Sequence, residues 1–269
     1  METSVLQNKV RLFEKVLDQL VEYILCLQEE GVDKIEIPLD SINIRNKRAG
    51  KVKKQLPSEK DSVDIGSRTK EPSKHVEVEL DKIVGKISTC VNCSLHKTRK
   101  NTVPGQGSYH PDILFIGEGP GREEDCAGIP FIGKSGKLLT KIIEAMGYTR
   151  EDVFIGNIVK CRPPDNRKPL PDEIEACLPY LNAQIKLLNP QVIVTLGATA
   201  IEGLTGRPVK ITQQRGVWMT FAGIPLMPTF HPSYLFRVPS AKRHVWNDMK
   251  DVLKRLGRTP PPSGKITKE

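Results

Sequence analysis

Four of the six cysteines in this 269-residue chain have a spacing that chemistry can use. Cys90 and Cys93 form C-x2-C, and Cys161 and Cys177 form C-x15-C around the polar segment RPPDNRKPLPDEIEA. A C-x2-C arm brings two thiolates to one metal with little strain, and the second pair joins it if the intervening loop folds back. Four such cysteines suit Zn2+ or a [4Fe–4S] cluster. Zinc ribbons carry two short arms, whereas only one is short here, which leans toward a cluster. Of the other two cysteines, Cys126 reads as a small filler in a loop and Cys26 as a semi-buried thiol.

A second set of residues sits where apolar runs end. Glu118 lies in GEGPG (117–121), Phe131 in GIPFIG, Asn157 near the end of VFIGNIV, and His231 in TFHPSYLFR. GEGPG is not a dinucleotide fingerprint. Arg122 stands where the third glycine of G-x-G-x-x-G belongs, and Pro120 removes a backbone donor. Its glycines instead let the backbone approach a flat ligand closely. A Phe among glycines and proline can act as a platform for a base, although a lone Phe is usually core. The Asn157 amide can pair with an amide-like edge such as that of uracil. Pro232 holds His231 extended, where an imidazole can support a developing anion. Taken singly, each of these residues is as easily structural.

The elements that must position them follow from hydrophobic pattern. Asp112–Gly117, Val153–Val159, Gln191–Gly197 and Ile224–Phe230 are near-continuous apolar runs, read as strands buried on both faces. Between them lie helical patterns. One carries Leu138, Leu139, Ile142, Ile143 and Met146, with Gly147 placed to cap it. Another carries Ile174, Cys177, Leu178, Leu181, Ile185 and Leu188, with Pro171 near its start. A last one runs from Val245 to Leu256. Strands alternating with helices predict an α/β chain with a parallel sheet covered on both faces, and ligands bind beyond the C-terminal strand ends of such sheets.

Upstream, Leu6, Val10, Phe13, Leu17, Leu20, Ile24 and Leu27 predict one amphipathic helix over 4–29, a face for its own domain, for self-association or for a protein partner. The expected layout is an N-terminal extension over 1–44, a basic flexible linker over 45–77, one folded domain over 78–257 and a disordered tail over 258–269. The formal net charge of +9 suits a polyanionic partner such as nucleic acid, and equally suits simple solubility. No apolar run reaches membrane-spanning length, and METSVLQNK lacks the layout of a signal peptide. A cytoplasmic protein with no membrane partner is expected.

From about Leu80 to Leu256 the chain resembles the family 4, iron–sulfur, uracil-DNA glycosylases. The blocks that carry the resemblance are the C-x2-C pair, GEGPGREED, GIPFIGKSG, GNIVKCRPPDNRKP, CLPYL, LGATA, RGVW and HPSYLFR. The resemblance implies a three-layer α/β/α sandwich around a four-stranded parallel sheet. It also implies a [4Fe–4S] cluster on Cys90, Cys93, Cys161 and Cys177, with zinc as the alternative occupant. The implied reaction is hydrolysis of the uracil N-glycosidic bond in single- or double-stranded DNA after the nucleotide is flipped out. Phe131 would stack on the base, Asn157 would read its edge, and the Glu118–Gly119 backbone and Gly121 would shape the pocket. His231 would stabilise the departing anion.

Relatives with a water-activating aspartate have it where Gly119 stands, so Glu118 is the expected substitute, with Glu124 and Asp125 nearby to orient water or hold the loop. Arg162, Arg167 and Lys168 would lie beside the DNA, and one of Leu235, Phe236 and Arg237 would fill the vacated stack. Two rival readings are a non-catalytic uracil- or abasic-DNA-binding protein of the same fold and a zinc-binding nucleic-acid module. A related group traps DNA through a histidine in the loop after the second strand, and PDNRKPLPDE has none.

Overall fold

The computed structural model describes residues 74–261. The expected helix over 4–29, the linker up to residue 73 and the tail from 262 lie outside the described residues. The strands are β1 (Gln106–Gly107), β2 (Ile113–Gly117), β3 (Phe154–Asn157), β4 (Val192–Leu196), β5 (Met219–Phe221) and β6 (Ile224–Thr229). They form one sheet in the order β1-β3-β2-β4-β6-β5. The four expected strands make its parallel centre. The sheet is larger than the four strands expected, because β1 and β5 add antiparallel edges. Those edges are two and three residues long, too short to read as apolar runs.

The helices are α1 (Lys74–Ser88), α2 (Arg122–Ala127), α3 (Lys134–Ala145), α4 (Pro171–Leu188), α5 (Ala198–Thr205), α6 (Ile211–Gln214), α7 (Tyr234–Arg237) and α8 (Lys242–Arg255). Side chains alternate across each strand, so the sheet feeds two cores. Ile113, Phe115, Ile155, Val192, Val194 and Met227 pack with Leu139 and Ile143 of α3 and Val245, Met249, Val252 and Leu253 of α8. Leu114, Ile116, Phe154, Ile193 and Leu226 pack on the other face with Leu80 of α1, Leu181, Ile185 and Leu188 of α4, and Ala200 and Leu204 of α5. The result is the expected three-layer α/β/α sandwich. No helix among the described residues is long and apolar enough to cross a membrane.

Two features of this frame place functional groups. The strand order reverses about β2, with β3 on one side and β4 on the other, which opens a crevice beyond the C-terminal end of β2. The start of α4 is also tied to the segment bearing the C-x2-C pair. Buried Glu173 accepts from the Leu170 N–H at 2.8 Å, from both arms of the Arg167 guanidinium at 2.7 and 2.8 Å, and from the Ser94 hydroxyl at 3.0 Å. Ser94 directly follows Cys93, and Cys177 lies one turn after Glu173 on the same helix, so a single carboxylate links both cysteine segments.

The Arg167 hydrogen bonds hold the Glu173 carboxyl at about 2, below its ordinary 4.5. A depressed carboxyl contributes stability above its unfolded value that is lost as pH falls through the folded one. Glu173→Gln is therefore expected to lose about 2 kcal/mol at pH 7. Urea titrations should show the gap between variant and wild type closing between pH 4.5 and 2. A gap that persists at pH 2 would mean the contribution is not ionic.

Candidate active site

A cleft of about 480 Å3 opens beyond the strand ends. Its walls include Glu118, Gly119 and Gly121 after β2, Asn157 from β3, Gly197 and Ala198 after β4, and Phe230 and His231 after β6. Phe131 closes it from the loop that leads into α3. The structure thus brings together all six residues expected to bind the substrate.

β2 and β3 end level, with Gly117 beside Asn157 in the parallel ladder. Asn157 is 1 % exposed, yet its Oδ1 has no hydrogen-bond partner. An unpaired buried amide oxygen is costly unless a ligand completes it. The lack of a side chain at 117 makes this arrangement possible. A Cβ there would lie 2.5 Å from Asn157 Oδ1 and 2.5 Å from Phe131 Cζ, far inside van der Waals contact.

Phe131 is buried at φ 53°, a strained value for a bulky residue. Its surroundings enforce that conformation. Arg150 donates to the Phe131 carbonyl at 3.0 Å and to the Pro130 carbonyl at 2.7 Å. Glu124 accepts from Ile132 N–H and Gly133 N–H, both at 2.9 Å, and from Gly121 N–H at 3.1 Å. Gly136 lets α3 start directly against this turn, since a Cβ there would fall 1.9 Å from the Phe131 carbonyl.

His231 stands across the cleft, its ring centroid 5.8 Å from that of Phe131. The Ser233 main-chain N–H donates to its Nδ1 at 3.1 Å, and the Ser233 hydroxyl lies 2.7 Å from the same atom. A main-chain N–H can only donate, so Nδ1 is the acceptor and the proton of the neutral ring belongs on Nε2. Packing around the ring lowers its pKa to about 4, so the ring is neutral at pH 7. Beneath it, the Thr229 hydroxyl donates to buried Asp248 at 2.6 Å, and Asp248 is paired with Arg215, which fixes the end of β6.

The other expected residues sort by their partners. Asp125 accepts from Lys100 and Asn101 N–H, and Glu124 holds the Phe131 turn, so both act on the loop. Among the described residues no hydrogen bond is made by the Glu118 carboxylate, which faces the cleft. Arg167 and Arg237 line the cleft rim, while Arg162 donates to Asn166 at 2.8 Å and Lys168 pairs with Glu202. Leu235 is 1 % exposed and belongs to the core. Its neighbour Phe236 is 41 % exposed, with the Lys134 ammonium 5.1 Å from its ring. Arg150 and Ser233 were not anticipated. Their signal is long-range or geometric and leaves no trace in spacing.

Away from the cleft, Cys90, Cys93, Cys161 and Cys177 surround one small cavity, with Arg99, Lys160 and Tyr180 between them. Arg99 donates to Cys161 Sγ at 3.1 Å, and the Lys160 main-chain N–H to Cys177 Sγ at 3.2 Å. Burial pushes the Cys93 and Cys161 thiols up and Cys177 to about 11. Four cysteines on one cavity, with donors aimed at two of the sulfurs, are a donor set that fits an iron–sulfur cluster. Among the described residues no three His, Cys, Asp or Glu side chains form a group able to hold a single metal ion.

Residues 104–250 match the model of the Uracil DNA glycosylase superfamily. The Type-4 uracil-DNA glycosylase of Thermotoga maritima is 50% identical over 189 residues, which is 66% of this chain and 97% of that protein. Those of Saccharolobus solfataricus and Archaeoglobus fulgidus are 42% and 38% identical, over 67% and 68% of this chain and 88% and 96% of their own lengths. The chain belongs to the type-4 uracil-DNA glycosylases. The Type-5 uracil-DNA glycosylase of Mycobacterium bovis is more distant, at 30% identity over 49% of this chain.

The His231 geometry makes a prediction that needs no ligand. Long-range 1H–15N spectra of the free chain should show a neutral ring with Nδ1 unprotonated at pH 7, and titration near pH 4. Since the unfolded ring binds its proton from 6.5 downward, this residue contributes a loss of stability as pH falls from 6.5 to 4. Titration near 6.5 in the folded chain would contradict the packing described.

Proposed function

We propose that the chain hydrolyses the N-glycosidic bond of uracil in DNA and leaves an abasic site, the first step of base excision repair. The observation that carries this reading is the unpaired, buried Oδ1 of Asn157, in the same cleft as the Phe131 ring and the His231 imidazole. A flipped uracil stacks on Phe131. Asn157 Oδ1 accepts from its N3–H, and the amide nitrogen donates to O4. Cytosine presents an acceptor at N3 and an amine at C4, so the same fixed amide is mismatched at both positions.

As the C1′–N1 bond breaks, positive charge grows on the sugar and negative charge on the base. A neutral His231 with its proton on Nε2 donates to O2 of the departing anion without first surrendering a charge. Glu118 is the carboxylate available to orient the attacking water and stabilise the cationic sugar. Gly119 and Gly121 allow close approach of their backbone, and Arg162, Phe236 and Arg237 face the DNA, with Phe236 as the wedge. Cys90, Cys93, Cys161 and Cys177 would hold a [4Fe–4S] cluster, which supplies a rigid cross-link between the segment before β1, the loop after β3 and α4.

The test is release of uracil from an oligonucleotide with one U, read by alkaline cleavage. Product from U but not from C or T is expected. Asn157→Ala and His231→Ala should each slow release by about 10²-fold or more with folding intact. Wild-type rates in both variants would remove the site assignment. DNA binding without product would favour the non-catalytic reading. Cys161→Ala should lose iron, the visible absorbance and soluble yield. A soluble variant with full iron and colour would mean that Cys161 is not a ligand.

A further inference from the structure

Between the Asn157 strand end and the cysteine cavity lies a cation that neither site has used. Lys160 is 1 % exposed, the one fully buried lysine among the described residues. Its Nζ donates to the main-chain carbonyl of Asn157 at 3.0 Å. Lys160 is among the residues that line the same cavity as the four cysteines, and its own N–H donates to Cys177 Sγ. None of the ion pairs among the described residues includes it.

A buried ammonium without a counter-charge is strongly unfavourable. Three donors sit on Nζ, and one is used by Asn157. The sulfurs of the cavity are the available source of negative charge, and four thiolates around an iron–sulfur cluster leave a net negative charge. Asn157 is the residue whose amide must be held to well under an ångström to tell uracil from cytosine. Lys160 therefore touches the reader of the base through one atom and the cysteine site through its surroundings.

We infer that Lys160 is the counter-ion of the cluster and a positioning residue for Asn157, so that the charge of the cysteine site holds the base-reading strand end in register. This rests on the reading of the four cysteines as cluster ligands. Removing the ammonium stabilises the more oxidised cluster and makes its reduction potential more negative. It also frees the Asn157 carbonyl and loosens the amide that contacts the base.

The experiment uses the full chain, purified without oxygen, as wild type, Lys160→Met and Lys160→Gln. Iron and acid-labile sulfide per chain, the midpoint potential, and kcat and KM for uracil release are measured on each. Met removes charge and donor, whereas Gln removes the charge and keeps a donor for the carbonyl. The expected result is a more negative potential in both variants, with a roughly tenfold fall in kcat for Met, little change in KM, and a smaller fall for Gln. Failure of either variant to load iron while circular dichroism stays wild-type also supports the counter-ion role. Wild-type potential and kcat in both variants would overturn the inference while leaving the ligand reading intact. Wild-type protein without iron or sulfide would overturn that reading, and this inference with it.

Discussion

A single missing methyl group sets the geometry of the cleft. β2 and β3 end level in a parallel ladder, so positions 117 and 157 face the same crevice. The volume a Cβ at 117 would take is occupied from one side by the Asn157 amide and from the other by the Phe131 ring. The Asn157 amide and the Phe131 ring, the groups proposed to read a base by its edge and by its face, are thus packed against each other. Register in a parallel sheet is fixed by burial on both faces, and every residue of both strands is buried. The position of Asn157 is therefore as rigid as the core. The position of Phe131 depends on a loop, and this explains why that loop is clamped at both ends by Arg150 and Glu124.

The carboxylates near the cleft divide by their partners. Glu124, Asp125 and Asp248 are each consumed by backbone N–H groups, a hydroxyl or a guanidinium. Glu118 alone of this group makes no hydrogen bond among the described residues and lines the cleft. A charge fixed by several donors has little freedom to stabilise new charge, whereas a carboxylate without such donors in the same cleft as a neutral imidazole suits the proposed charge separation. His231 contributes by being uncharged. Its desolvated ring and the Ser233 N–H settle its protonation and tautomer in advance, so that in the proposed reaction neither need change before the base departs.

The central strands were legible because buried parallel strands read as unbroken apolar runs. The edges were not, since β1 and β5 exist by pairing and have no pattern of their own. Phe131, Asn157 and His231 could be picked out because strand ends in an α/β chain are few and each residue type suited one part of a base. The partners that hold them could not. Arg150 is 19 residues from the carbonyl it grips, and the role of Ser233 follows from one backbone N–H that no spacing encodes. Glu124 and Asp125 were visible as acids near the loop, but only their donors decide between orienting water and holding the chain. Leu235 and Phe236 were equivalent in sequence, and the short helix α7 turns the first into the core and the second outward.

The cysteine site and the cleft are separate cavities, yet the chain scarcely leaves one before entering the other. Asn157 ends β3, Lys160 returns its ammonium to the Asn157 carbonyl, and Cys161 follows at once. The Val103 N–H donates to the Lys160 carbonyl at 2.7 Å and holds the same turn from the segment after the C-x2-C pair. The five residues from Asn157 to Cys161 thus carry the proposed reading group, a buried cation and a candidate ligand. Displacing any of them by a fraction of an ångström moves the others, because the turn that joins them is buried throughout. A cluster held by Cys161 and Cys177, as proposed, would act on the Asn157 amide through this short turn. On the proposed reading, the cysteines would bear on recognition without touching the base.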